Sequence, residues 1–171
     1  MHLVKIKNKI LKFNKILSIE GDKSLSIRWA LIASQSESKS RSFNLLLSED
    51  VINTLKCLRK LGVKVRITKK FCEINGVGLN GFKYKKNLIL DAGNSGTTVR
   101  LLFSLLNNSN HWIKITGDQS LKKRDMSRII RPLKLFGFEF KDNNKKLPIL
   151  IKGPKILKPI SYTENLGSAQ C

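Results

Sequence analysis

The sequence predicts an α/β (α+β) fold built from a repeated β-α-β-α-β-β unit. Strand-like and helix-like apolar patterns alternate along the chain, and their order recurs. LGVKV at 61–65 matches FGFEF at 136–140 in position and pattern, 75 residues further on. The chain has 171 residues, 41% of them hydrophobic, so it is long and apolar enough to bury a core.

The first unit is predicted at about residues 20–77, after an N-terminal strand in which Val4 and Ile6 alternate with lysines. Its first helix has Leu25, Trp29 and Ile32 on one face. A serine and two acidic residues then cap a second helix, which a glycine ends. The predicted elements are an edge strand within 1–17, a helix at 24–36, a strand at 40–47, a helix from 48 to 62, and strands at 63–67 and 71–74.

The second unit, at about residues 86–153, repeats this order. The offset of the repeat, applied to Gly96, reaches the last residue, so residues 158–171 are expected to open a third unit that is cut off. We therefore expect the chain to be a fragment of a longer protein. The elements predicted for the second unit are a strand at 88–93, a helix at 95–106, a strand at 111–116, a helix at 126–136, and strands at 138–140 and 147–151.

Composition narrows the class of partner. Lys and Arg number 33 against 12 Asp and Glu, a formal net charge of +21, which favours anionic ligands. The lysines are scattered, and no zinc-finger or RNA-binding signature is present. The three cysteines form no CxxC pair, so neither a disulfide framework nor a metal site is predicted. Together with the absence of an apolar run of membrane-spanning length, this predicts a cytoplasmic protein.

Three polar loops follow strand patterns or end the chain: GDKS at 21–24, GNSGTTVR at 93–100 and GSAQ at 167–170. A helix that opens after a glycine-containing loop presents backbone N–H groups and a partial positive charge to an anion. Lys23 and Arg124 would add charge-assisted contacts. The alternative interpretation is ordinary helix capping with solvated basic side chains. GxGxxG and P-loop spacings are absent, so nucleotide binding is not favoured.

Four motifs, in this order and spacing, resemble the N-terminal part of the 3-phosphoshikimate 1-carboxyvinyltransferase (EPSP synthase) family. They are GDKSLSIRWALIAS, LDAGNSGTTVRLLFSLL, ITGDQSLKKRDMSRIIRPLKLFG and GSAQ. The resemblance implies the enolpyruvyl transferase fold, with two domains of three repeated units each. It places residues 1–19 in strands of the other domain and residues 20–171 in an incomplete domain. Because the family's acid and base groups lie in its C-terminal half, the chain alone is expected to be inactive.

The resemblance also implies a reaction and a set of site residues. The 5-hydroxyl of shikimate 3-phosphate attacks phosphoenolpyruvate and phosphate leaves, with no metal or organic cofactor. Lys23 is the implied catalytic residue, in contact with both substrates. The implied shikimate 3-phosphate site is Lys23, Ser24, Arg28, Ser168, Ala169 and Gln170. The implied phosphoenolpyruvate site is Lys23, Gly96, Arg124 and Gln170, supported by Asn94, Thr97 and Arg100.

Two alternatives stay open. An enzyme that transfers enolpyruvate to UDP-N-acetylglucosamine has the same fold, but it typically carries a cysteine near the Arg124 region, and residues 115–124 have none. A basic nucleic-acid-binding module fits the charge, but aromatic residues are only 7% and do not cluster. We therefore predict small-molecule substrates, no nucleic-acid or membrane partner, and a monomer at full length.

Overall fold

The computed structural model describes residues 19–164 and, before them, positions 5, 12, 14, 16 and 17. Helices and strands alternate from Lys23 onward. The helices are α1 (Lys23–Ser34), α2 (Glu49–Lys60), α3 (Gly96–Leu105), α4 (Gln119–Lys122) and α5 (Ser127–Leu135). The strands are β1 (Lys39–Ser42), β2 (Lys64–Ile67), β3 (Cys72–Asn75), β4 (Ile89–Asp91), β5 (Ile113–Thr116), β6 (Glu139–Asn143) and β7 (Lys146–Lys152).

The strands form two sheets with a shared plan. The first sheet has the order β1-β3-β2 and is antiparallel throughout. The second has the order β4-β5-β7-β6, in which β5, β7 and β6 repeat the arrangement of β1, β3 and β2. β4 pairs in parallel with β5 and has no counterpart in the described part of the first sheet. The predicted fold class, a mixed α/β architecture with a repeated unit, is confirmed.

The core fills the space between the sheets and the helices. α1 packs on α2, α3 and β3, and α3 also packs on α5. Leu55 and Leu58 from α2, Phe103 from α3 and Ile115 from β5 are fully buried. Burial of such side chains is the main stabilising contribution to the fold, at roughly 1.5–3 kcal/mol for each large apolar side chain.

The buried face of α1 differs from the face that the sequence pattern singled out. Of the predicted face, Leu25 and Ile32 are 68% and 72% exposed, whereas Trp29 is partly buried against the core. The buried contacts come from Ile27 and Leu31 and from Ala30 and Ala33, the two alanines that the pattern placed beside that face. α1 is apolar around most of its circumference, so spacing identifies the helix without choosing its inner face. The small residues on the buried face allow close approach of the neighbouring helices, and this packing decides the orientation.

Several element boundaries also differ from the prediction. β1 ends at Ser42, so the strand predicted at 40–47 is mostly loop, and the short helix α4 was not predicted. α2 begins at Glu49, so Glu49 and Asp50 lie inside its first turn, where the helix dipole favours negative charge. Most of the edge strand predicted within 1–17 lies outside the described residues, as do residues 165–171 of the third unit predicted to open at 158–171. The described residues 158–164 form neither helix nor strand. No helix in the described part of the chain has the length and apolar character needed to cross a membrane.

Two cysteines are free and buried in the core. Cys57 Sγ donates to the carbonyl of Asp91 at 3.3 Å, and burial raises the pKa of the Cys57 thiol to about 12. Burial also raises the pKa of Cys72. Because the thiolate is the nucleophile, we expect both thiols to be unreactive in the folded state at neutral pH.

We therefore expect iodoacetamide at about pH 8 to leave Cys57 and Cys72 unmodified in the folded protein and to label both in urea. Mass spectrometry of proteolytic fragments reads the two sites separately. Labelling of Cys57 in native buffer at the rate of a denatured control would contradict the burial of this thiol.

Candidate active site

The first element of the site is the N-terminus of α1. Asp22 caps this helix, because its Oδ1 accepts from the backbone N–H of Leu25 at 2.7 Å. Lys23 follows as the first helical residue, with its side chain 52% exposed. The cap therefore fixes the point from which the Lys23 ammonium projects, and it adds to the positive end of the helix.

Asp50, in the first turn of α2, is the partner of Lys23. Its Oδ2 lies 3.0 Å from Lys23 Nζ, and its side chain is only 19% exposed. The sequence assigned residues 48–50 to helix capping, and in the structure the Ser48 side chain makes no cap hydrogen bond. The packing of α1 on α2 creates the ion pair, so nothing in the local pattern at Asp50 pointed to the site.

The second element is the edge where β4 and β5 end. These strands are parallel, so their carboxyl ends lie side by side, the position where open α/β sheets commonly bind ligands. The loop after β4 supplies Asn94 and the loop after β5 supplies Asp118, whose N–H donates to Gly93 O at 2.8 Å. Asn94 Nδ2 then donates to Asp118 Oδ2 at 2.7 Å.

Asn94 connects this edge to Arg124. Arg124 Nη2 donates to Asn94 Oδ1 at 2.5 Å. Asp118 can only accept when ionised, which orients the amide so that its oxygen faces the guanidinium. Asp125 follows Arg124 and accepts from Ser127 N at 2.6 Å, and this backbone N–H holds the pKa of Asp125 below its usual range. The chain is thus anchored on both sides of Arg124.

Gly96 makes room for two guanidinium groups. A Cβ added at Gly96 would lie 3.0 Å from Arg100 Nη1 and 3.2 Å from Arg124 Nη1. Gly96 is the first residue of α3, whose cap is Ser95 through a bond from Thr98 N to Ser95 Oγ at 3.2 Å. The glycine, which is unfavourable in a helix, therefore lets two cations approach the helix N-terminus.

A buried chain of hydroxyls ties this helix end to α2. Thr54 Oγ1 lies 2.6 Å from Thr98 Oγ1, and Thr98 Oγ1 lies 2.7 Å from Ser95 Oγ. Thr54 Oγ1 also donates to the carbonyl of Asp50 at 2.9 Å. The helix that carries Gly96 is thus linked to the turn that carries Asp50.

These groups line one open cavity of about 430 Å³. It is almost wholly polar, and its charged groups are three cations and a single carboxylate. The first turns of three helices, α1, α2 and α3, contribute residues to it, and helix N-termini favour anions. Of the residues that the sequence singled out, the cavity brings together six, and it adds Asp50. The lining residues are Lys23, Asp50, Asn94, Gly96, Thr97, Arg100 and Arg124.

Ser24 and Arg28 do not line this cavity. Arg28 Nη1 donates to the carbonyl of Ser24 at 3.3 Å, and Arg28 borders a separate apolar groove between α1 and α3. Both lie on α1 next to Lys23, facing another side of the helix. Ser168, Ala169 and Gln170 lie outside the described residues.

Comparisons with known proteins agree with this architecture. The model of the EPSP synthase (3-phosphoshikimate 1-carboxyvinyltransferase) family matches residues 7–171. Proteins named 3-phosphoshikimate 1-carboxyvinyltransferase from Desulforamulus reducens and Streptococcus suis are 41% and 37% identical over 95% and 98% of this chain. A solved EPSP synthase from Acinetobacter baumannii superposes with a TM-score of 0.82 at 35% identity over 90% of the chain.

The chain spans 38% and 39% of the two sequence relatives and 36% of the solved structure. The matched segment includes the loops that carry Lys23, Gly96 and Arg124. With a family match over nearly its whole length and the same fold as a solved member, the chain belongs to the EPSP synthase family.

Proposed function

We propose that this chain supplies part of the active site of a 3-phosphoshikimate 1-carboxyvinyltransferase. The enzyme transfers the enolpyruvyl group of phosphoenolpyruvate to the 5-hydroxyl of shikimate 3-phosphate and releases phosphate. The observation that carries this proposal is the single cavity into which Lys23, Gly96 and Arg124 converge from three separate segments. The family match supports the identity of the two substrates.

The charges of the cavity suit this reaction. Both substrates are polyanions, so cations must offset their mutual repulsion and hold the hydroxyl against C2 of phosphoenolpyruvate. The hydroxyl loses its proton as its oxygen bonds to C2, and C3 gains a proton as the C2–C3 double bond opens, which gives a tetrahedral intermediate. Cleavage of the C2–O bond to phosphate, with loss of a proton from C3, restores the double bond and completes the transfer. Arg124, oriented by Asn94, would hold phosphoenolpyruvate beside Gly96. Lys23 would exchange its ion pair with Asp50 for contacts to both substrates.

Shikimate 3-phosphate would bind along the side of α1 that carries Ser24 and Arg28, next to the polar cavity. Ser24 and Arg28 lie there, one turn apart, and the GSAQ segment at 167–170 would complete the subsite. The proposed protein needs no cofactor and acts as a cytoplasmic monomer. The two buried free thiols are compatible with a reducing compartment.

The experiment that tests this function compares the 171-residue chain with a version extended to the length of its relatives. Phosphate release is measured with both substrates together and with each one omitted. We expect no turnover from the chain alone, and from the extended protein a rate on the order of 1 per second or more. An extended, folded protein that releases no phosphate would refute the proposed reaction.

Gly96→Ala separates binding from folding. Alanine loses less backbone entropy than glycine on folding, and the atoms that its Cβ would meet are the ends of flexible side chains, so the melting temperature should change little. Its Cβ would push against the guanidinium ends of Arg100 and Arg124. The affinity for phosphoenolpyruvate in the extended protein should therefore fall by about tenfold. Calorimetric titration measures it, and unchanged affinity would show that the two arginines do not grip this substrate above Gly96.

A further inference from the structure

A second basic cavity lies at the far end of α2. It encloses about 570 Å³, and its lining includes Arg59, Lys60, Lys83, Lys85 and Lys86 and no acidic residue. We call it the basic cleft. Its remaining lining residues are Gly62, Asn87, Leu88 and Ile89.

The basic cleft is separate from the candidate active site. Asp50 lies in the first turn of α2, whereas Arg59 and Lys60 end the helix. The rise of 1.5 Å per residue puts these ends about 15 Å apart. The two cavities share no lining residue. Binding in the basic cleft would therefore be independent of the enolpyruvyl transfer proposed above.

The cations of the segment 82–85 are held outward by a buried framework. Phe82 is 7% exposed and Tyr84 packs against the core, so Lys83 and Lys85 alternate with them and face solvent. The stem of Lys83 lies over Gly62, where an added Cβ would meet Lys83 Cδ at 3.1 Å. Gly62 has φ +90°, a conformation that glycine adopts without strain. The stem of Lys83 is thus held against Gly62 before any ligand arrives.

Arg59 and Lys60 are positioned by hydrogen bonds to backbone carbonyls, which do not neutralise their charge. Arg59 Nη2 donates to the carbonyl of Val65 at 3.0 Å, and Lys60 Nζ donates to the carbonyl of Ile89 at 2.9 Å. In the described part of the chain, the ion pairs found involve other cations, so none of the five has a carboxylate partner. A carbonyl occupies one donor and leaves the others, with the full charge, for a ligand.

The backbone carbonyls at the C-terminus of α2 do not repel an anion strongly. The carbonyls of Leu58 and Arg59 accept from the backbone N–H groups of Val63 and Gly62 at 3.0 Å each. The carbonyl of Leu61 accepts from Lys83 N at 2.8 Å. These bonds satisfy acceptors that a free helix C-terminus would turn toward the ligand.

We propose that the basic cleft binds a small anion made of linked phosphates, such as inorganic tripolyphosphate or the triphosphate of a nucleotide. Four of its five cations are lysines, which act as point charges toward phosphate oxygens. Its volume lies in the range of small-ligand pockets. No aromatic side chain lines it, so the base stacking that single-stranded nucleic acid needs is missing.

The test titrates the 171-residue chain with tripolyphosphate, ATP and a single-stranded oligonucleotide by calorimetry at about 0.05 M salt. Amide NMR shifts at Gly62 and 83–88 locate the binding. Equal affinities for tripolyphosphate and ATP indicate that the phosphates alone are read, and tighter ATP binding indicates that the nucleoside adds contacts. We expect saturable binding of one anion at the basic cleft, located by these amide shifts and weakened at about 0.5 M salt.

Lys83→Gln/Lys85→Gln should weaken tripolyphosphate binding by about tenfold. The matched control is Lys69→Gln/Lys70→Gln, which removes the same charge from the exposed loop between β2 and β3. It should change the affinity by less than about twofold. Arg59→Gln/Lys86→Gln repeats the test with two other cations of the cleft. Equal losses in the control, no saturable binding, or tighter binding of the oligonucleotide would each overturn the proposal.

Discussion

Lys23→Met is expected to lower the turnover of the extended enzyme on the order of 10³-fold, while the protein still folds. Methionine keeps the length and apolar stem of lysine and removes only the charge. Lys23 lies at the N-terminus of α1 and lines the same polar cavity as Arg124. Because it would meet negative charge from both substrates as they react, its loss should raise the barrier more than it weakens binding of either substrate.

The effect on stability should be small. Lys23 is half exposed, and an ion pair of this kind contributes less than about 1 kcal/mol to folding. Steady-state kinetics and thermal melting of the same preparation measure both effects. Lys56→Met, on the exposed surface of α2, is the matched control and should leave turnover unchanged. A Lys23→Met enzyme that melts normally and keeps most of its activity would reject the catalytic role.

Asp50→Asn tests independently whether substrate binding has to break the ion pair between Lys23 and Asp50. The neutral amide keeps the shape of the side chain and releases the Lys23 ammonium from its 3.0 Å ion pair. Substrate binding would then no longer have to break that pair, so the KM values should not rise as they do when Lys23 itself is removed. A loss as large as that of Lys23→Met would show that Asp50 has a role beyond neutralising Lys23.

Arg124→Ala should raise the requirement for phosphoenolpyruvate more than that for shikimate 3-phosphate. Arg124 is oriented by Asn94 and lies above Gly96, on the side of the cavity assigned to phosphoenolpyruvate. The loss of a charge-assisted contact of this kind costs roughly 2–5 kcal/mol. Initial rates with each substrate varied in turn separate the two KM values.

Two further variants sharpen this prediction. Arg124→Lys keeps the charge and loses the planar fork, so a partial defect would show that geometry contributes as well as charge. Arg128→Ala removes an exposed arginine of α5 that does not line the cavity, and it should leave both KM values unchanged. Equal effects of Arg124→Ala on the two substrates would show that the assignment of sides is wrong.

The sequence predicted the elements of the fold well where the signal was local. Alternation and helical spacing identified α1, α2, α3 and α5. The repeat of LGVKV and FGFEF identified β2 and β6 as equivalent strands of the two units. It could not find α4, whose single turn is too short to show a period. It also could not place the inner face of α1, because that helix is apolar on more than one side.

The sequence by itself determined which loops are candidates for the site: GDKS, GNSGTTVR and the segment around Arg124 were recognisable because glycines, caps and basic residues leave a short-range pattern. Only the tertiary structure showed that Asp50 pairs with Lys23, and that Asp118 orients Asn94 toward Arg124. These contacts join residues 24 to 30 positions apart. They form because α1 packs on α2 and because parallel β4 and β5 end at one edge, and such long-range packing depends on the whole core rather than on any local pattern of residues.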